Sequence, residues 1–254
     1  MSPIDTRGIV FPDSHTYHNA WRAFDFGKLH RSQDKEDMAL YEQFFEGQRD
    51  GTFVEIGALD GLRISNTFAF EKAMGWGGVL IEANPESCAR LFKNRRGPKV
   101  HTLCSAVTAD SHPVLFETGE DAAVFAAVER MSAGFRQKTH PPHMRHNVTV
   151  ASAPLGFLLR ALGVSHVDLF SVDVEGSQDE VLSTFDWSIP VRVWCIERGS
   201  TPRITRLMKD HGYTQAQWLH DYTGRLARNT LWVRDSWTPA KYQWRPWVPP
   251  RPAI

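Results

Sequence analysis

The sequence predicts a doubly wound α/β fold: a seven-stranded, mostly parallel sheet with an antiparallel last strand and helices on both faces. Three observations carry this. Short β-rich runs alternate with segments of helical period, the pattern of a parallel sheet covered on both sides. The last two strand-like runs, 213–219 and 229–233, are joined by a short link at 221–224, which suits an antiparallel pair. The length, 254 residues, suits one such domain with additions.

Residues 1–30 have no clear period and are read as an N-terminal extension, partly ordered because Trp21, Phe24 and Phe26 need burial. The main domain is placed at 31–235. Met38, Tyr41 and Phe45 recur at helical spacing from Asp34 onward, and 47–51 breaks the helix. Residues 52–56 form the first strand, ending at Gly57. A helix over 67–74 closes at Gly75, and 78–81 is the second strand. Asn84-Pro85 reads as an N-cap followed by proline at the first helical position. Residues 99–107 read as a third strand.

Residues 108–150 are less regular, with short β-like pieces at 113–117 and 123–128 and the polar run from His140 to His146. They are read as an insertion able to cover a site. Leu155, Leu158, Leu159 and Leu162 restore the helical stripe, and 167–174 is an apolar strand. Ser177 to Glu180 has capping-box spacing. A strand over 191–196 and a helix capped by Thr201-Pro202 precede the final pair. The tail, 236–254, has five prolines and three tryptophans and cannot be regular structure. It packs over the domain or reaches a partner, a homo-oligomeric neighbour included.

Positive and negative side chains balance to a net charge of zero, without the basic excess expected of a nucleic-acid binder. No apolar run approaches the roughly 20 residues of a membrane span, and residues 1–13 lack the pattern of a secretion signal. The three cysteines, Cys88, Cys104 and Cys195, form no C-x-x-C pair and are odd in number. They predict a reducing, cytoplasmic setting without disulfides, with Cys104 and Cys195 buried in strands.

Ligands of an open parallel sheet bind at the carboxyl ends of its strands. The first strand ends in Gly57-Ala58-Leu59-Asp60-Gly61, flanked by Glu55. Those acids would repel a pyrophosphate and suit a cationic ligand carrying ammonium and sulfonium groups. Glu82 ends the second strand, where an acid can hold two ribose hydroxyls. Ser105, Ala106 and Val107, small and apolar, suit an adenine slot. Asp173 and Glu175 end the fourth strand and Glu197 the fifth. Each is ordinary alone; together on one sheet edge they describe a cofactor pocket.

At these residues the chain resembles the FkbM-type methyltransferases. The resemblance runs over about 31–234. It is carried by Gly51-Thr52-Phe53-Val54-Glu55-Ile56-Gly57-Ala58-x-Asp60-Gly61, by Ser65-Asn66-Thr67, and by 75–85, which includes Glu82-Ala83-Asn84-Pro85. Ser32-Gln33-Asp34, Leu91-x-x-x-Arg95 and 168–176 add to it. It implies a Rossmann-like class I methyltransferase fold and transfer from S-adenosylmethionine to a hydroxyl of a sugar, glycolipid or small natural product. It further implies that Glu55, Gly57, Asp60 and Gly61 line the methionine part, with Ser65 and Asn66 at the next helix's start. Glu82 would take the ribose, and Gln33 and Asp34 would lie near the pocket mouth.

A hydroxyl acceptor needs a base or a metal. Asp173, Glu175 or a histidine such as His143 is the candidate base. Asp173 and Glu197 are the candidate ligands of a hard cation such as Mg2+. The competing reading is a catalytically silent relative that uses the fold for binding or assembly.

Overall fold

The computed structural model describes residues 26–119, 145–174, 176–218 and 221–237. Most of the N-terminal extension, residues 120–144 of the insertion, Glu175 and nearly all of the tail lie outside them.

After a single turn of helix, Gly27–Leu29, helix α1 spans Glu36–Leu40 and continues as a π-helical turn over Tyr41–Phe45. Strand β1 (Thr52–Ile56), helix α2 (Phe68–Met74), β2 (Gly77–Glu82), α3 (Pro85–Asn94) and β3 (Val100–Cys104) follow. Next come β4 (Ala106–Val107), β5 (Val114–Gly119), β6 (Arg145–Val150) and β7 (Ser152–Ala153). The chain ends in α4 (Leu155–Ala161), β8 (Val167–Val172), α5 (Gln178–Ser183), β9 (Val191–Glu197), α6 (Pro202–Asp210), β10 (Tyr213–Ala216) and β11 (Asn229–Arg234).

The main sheet has seven strands in the order β10-β11-β9-β8-β1-β2-β3. Only β11 runs against its neighbours. This is the sheet the sequence predicts, and its antiparallel strand is the last one. Strands inside it are buried on both faces, so successive residues feed two different cores. Phe53, Leu169, Val193 and Cys195 point into the core under α1, α2 and α3, with Phe45, Phe70 and Leu91. Val54, Phe170, Trp194 and Ile196 point into the core under α4, α5 and α6, with Leu155, Val181 and Met208. Trp194 stacks on Phe170 at 4.3 Å and meets Phe185 edge-on at 4.9 Å, so one aromatic group joins β8, β9 and the turn after α5.

Local signals place two helix starts correctly. Asn84 Oδ1 accepts the Glu86 and Ser87 amides with Pro85 next in line, and Thr201 Oγ1 accepts the Ile204 amide ahead of α6. The capping box at Ser177 does not close. Ser177 lies at φ −94 and ψ 11, a turn geometry, and its side chain makes no cap bond. The Glu180 carboxylate accepts the Ala109 amide instead.

Two further expectations need correction. The run 99–107 is two strands, not one. Ser105 donates its amide to Glu82 O, the last rung on β2, and its hydroxyl to Ala106 O. The chain turns there, so β4 pairs with β7 outside the main sheet. The β-like piece read at 113–117 is borne out by β5, and the one at 123–128 lies outside the described residues. β5 and β6 pair antiparallel from Val114↔Val150 to Gly119↔Arg145. The expectation of no disulfide, with Cys104 buried, fails as well. Cys88 and Cys104 form a disulfide with a Cα–Cα distance of 5.6 Å, and Cys104 is exposed. The reason is topological: β3 is the edge strand, and α3 packs its Cys88 toward that edge. Cys195 is buried and free, as expected, with burial pushing its thiol up well above the usual range. Among the described residues no helix is long and apolar enough to cross a membrane.

Candidate functional site

Chain order runs outward from β1 through β2 to β3, then returns to place β8 on the other side of β1. The carboxyl ends of β1 and β8 therefore flank the topological switch point, where a crevice opens in this class of sheet. Gly57 sits on that crevice at φ +80, and a Cβ there would lie 1.8 Å from the Asp173 carbonyl oxygen. Two backbone segments meet directly because glycine has no side chain. The loop returns through Leu59 at φ 51 and Gly61 at φ 76. A left-handed leucine is strained, so something must hold it.

Glu82 does so. Its Oε2 accepts the Leu59 amide and its Oε1 accepts the Asn84 amide, both at 2.7 Å. One carboxylate thereby fixes the first loop and the start of α3. It is 8% exposed. Burial raises its pKa to about 7 against the opposing backbone hydrogen bonds of Asn84, Leu59 and Ala83. Each oxygen still has acceptor capacity, since a carboxylate offers about four lone-pair directions.

Glu55 points the other way, into the fold. Its Oε1 accepts the Asn66 amide at 2.7 Å, and its Oε2 accepts the Ser65 and Thr67 hydroxyls at 2.8 and 2.6 Å. Burial pushes its carboxyl up, and the nearby Arg95 guanidinium opposes that shift. Ser65 is buried beneath the loop. Asn66 is half-buried and donates its amide to Ser171 Oγ at 2.9 Å, tying the loop to β8. Asp60 Oδ1 accepts the Leu62 and Arg63 amides, and its carbonyl accepts Asn94 Nδ2. Ala106 is buried beside Val150, with Ala83 packed against the pair.

Beyond the loop, Gln33, Asp34, Glu36, Ile64, Asn66, Asp173, Glu197, Arg228 and Asn229 line one narrow cleft of about 30 Å³. Glu36 is held by Asn229 Nδ2 at 2.8 Å, and burial pushes its carboxyl up. Glu197 Oε2 is buried without a hydrogen-bond partner among the described residues. Four carboxylates and one guanidinium make this cleft negative, a setting for cationic groups or for removing a proton. Asp173 and Glu197 do share it. However, no group of three or more His, Cys, Asp or Glu able to hold a metal exists among the described residues. Asp173 and Glu197 offer Mg2+ two carboxylates, a donor set this cation takes when water completes its octahedral shell. His143 and Glu175 lie outside the described residues.

The residues at the switch point fit an adenosyl sulfonium: close backbone approach at Gly57, a buried acid at β2, and a negative cleft beyond. Sequence reasoning had no role for Glu36 and Asn229, which reach the cleft from distant segments. Only the antiparallel insertion of β11, which sets Asn229 opposite Glu197, brings Asn229 there.

Comparisons with known proteins place the chain in a family. A family model, the methyltransferase FkbM domain, matches residues 55–214. No curated protein sequence matches the chain. Among solved structures the chain is similar to the methyltransferase FkbM of Methylobacillus flagellatus, at 11% identity and a TM-score of 0.45 over 82% of this chain and 58% of that one. It thus spans little more than half the length of that protein. It is also similar to a TehB-like SAM-dependent methyltransferase from Corynebacterium glutamicum, at 9% identity and a TM-score of 0.41 over 87% and 98%. Fibrillarin from Aeropyrum pernix, in complex with natively bound S-adenosyl-L-methionine, shares 12% identity and a TM-score of 0.37 over 73% and 66%. The segment matched by the family model runs from β1 into β10, more than half of the chain, and the chain belongs to the FkbM methyltransferase family.

Proposed function

We propose that this protein transfers a methyl group from S-adenosylmethionine to a hydroxyl of a sugar, glycan or small natural product. The observation that carries the reading is the convergence of the Gly57–Gly61 turn, Glu82 and Asp173 on the switch point of the sheet. When bound, S-adenosylmethionine supplies an electrophilic methyl carbon on a sulfonium. Glu82 accepts the ribose hydroxyls with the lone pairs its backbone partners leave free. Gly57, Asp60, Gly61 and Asn66 surround the methionine part, held from below by Glu55 and Ser65. Ala106 faces the adenine.

An acceptor hydroxyl must be held in line and relieved of its proton. Asp173, at the end of β8, takes the base role in this reading, with Glu175 and His143 as the alternatives. The metal alternative is Mg2+, which Asp173 and Glu197 would hold with water and which would polarise the acceptor hydroxyl in place of a base. Asn229 also lines a second, larger cavity of about 1010 Å³ between α6 and β10. Its lining is mostly neutral and hydrogen-bonding, including Ser200, Thr205, Gln215, Gln217 and Thr230, together with Trp218. Such a surface supports a polyhydroxylated acceptor.

The test is transfer of labelled methyl from S-adenosylmethionine to a panel of glycosides, polyketide-type alcohols, amines and activated carbon acids. Label on hydroxyl acceptors, lost in Asp173→Asn, is the expected result. Label confined to amines or carbon would overturn the hydroxyl assignment.

A further inference from the structure

Arg95 closes α3, far in sequence from the loop it touches. Its side chain is wholly buried. Nε donates to Glu71, Nη1 donates to the Gly61 carbonyl at 3.0 Å and to Ser65 Oγ at 3.1 Å, and Nη2 donates to Thr67 Oγ1 at 3.2 Å. The guanidinium lies between two rings, 5.5 Å from the Phe53 centroid and 5.6 Å from that of Phe68. A Cβ on Gly61 would come within 2.6 Å of the Arg95 Cγ, so the loop passes directly over its stem.

The same two hydroxyls that accept from Arg95 donate to Glu55. Ser65 and Thr67 thus bridge a buried anion on β1 to a buried cation on α3, and the 57–67 loop is strung between them. A planar fork reaches Gly61, Ser65, Thr67 and Glu71 at once. A lysine ammonium, a point charge with three donors, cannot reproduce that geometry.

We propose that Arg95 is the positioning residue of the cofactor loop: through Ser65, Thr67 and the Gly61 carbonyl it sets the loop conformation that binds the methionine part, without touching the ligand itself. This rests on the S-adenosylmethionine reading. It adds that a residue outside the pocket controls affinity.

The experiment is calorimetric titration of the full chain with S-adenosylhomocysteine, well below the melting transition, on wild type, Arg95→Lys, Arg95→Ala and the near-isosteric Thr67→Val. Arg95→Lys and Thr67→Val are expected to remain folded and to bind about tenfold more weakly. Added methylguanidinium is expected to restore much of the affinity of Arg95→Ala and to leave wild type unchanged. A purely structural arginine would lower the melting temperature while the dissociation constant stayed within about twofold. That result in Arg95→Lys and Thr67→Val overturns the proposal, whether or not Arg95→Ala folds. Absence of binding by wild type overturns the cofactor reading itself, and this proposal with it.

Discussion

Glu82 and Glu55 both stand at or next to strand ends in this sequence and do different work, because a carboxylate's role depends on which way its strand position aims it. Glu82 faces the crevice and steadies it; Glu55, at the next-to-last position of β1, turns inward and is consumed by Asn66, Ser65 and Thr67. Position at a strand end was legible from the apolar run before it. Direction was not, since it depends on the loop that folds back over the strand. Glu82 also carries a pH dependence. Its pKa of about 7 in the fold exceeds the ordinary 4.5, so the folded chain holds a proton that the unfolded chain releases. Stability from this group therefore falls as pH rises from about 4.5 to about 7 and is flat above. Ribose hydroxyls donate to the ionised form, so binding has the opposite sign. The dissociation constant for S-adenosylhomocysteine is expected to tighten about tenfold between roughly pH 6 and pH 8, and Glu82→Gln is expected to remove that slope. An unchanged slope in Glu82→Gln would assign the titration to another group.

Elements whose signals are local were the ones the sequence rendered well. Asn84-Pro85 and Thr201-Pro202 name their helix starts because cap and first turn are adjacent in the chain. The third strand and the cysteines misled because both depend on which strand lies at the edge. Once β3 is the edge, its last residue is exposed, and Cys104 meets Cys88 of α3. The bridge closes a loop with a sequence separation of 16, worth about 3 kcal/mol by restriction of the unfolded chain. Thiol titration of the denatured, unreduced protein is expected to find one thiol, Cys195, out of three cysteines. Reduction is expected to lower unfolding stability by about that 3 kcal/mol. Three free thiols in freshly purified protein would show the bridge does not form.

At the scale of the whole molecule, alternation of strand and helix announced the sheet, and the short final link announced its antiparallel strand. The order β10-β11-β9-β8-β1-β2-β3 did the rest. It brings together Gly57 and Asp173, 116 positions apart in the chain, and sets Asn229 against Glu197. No local pattern encodes such pairings; they come from the return of the chain to β8 and the insertion of β11. The acceptor is less legible for the same reason. Its candidate groove is assembled from α6, β10 and the start of β11, and it has no motif of its own. The donor site is the central claim, and calorimetric titration of S-adenosylhomocysteine into wild type and Glu82→Ala tests it most directly. Saturable one-to-one binding by wild type, lost or strongly weakened in Glu82→Ala, is the expected result; no binding to wild type, or equal binding by both, would contradict it.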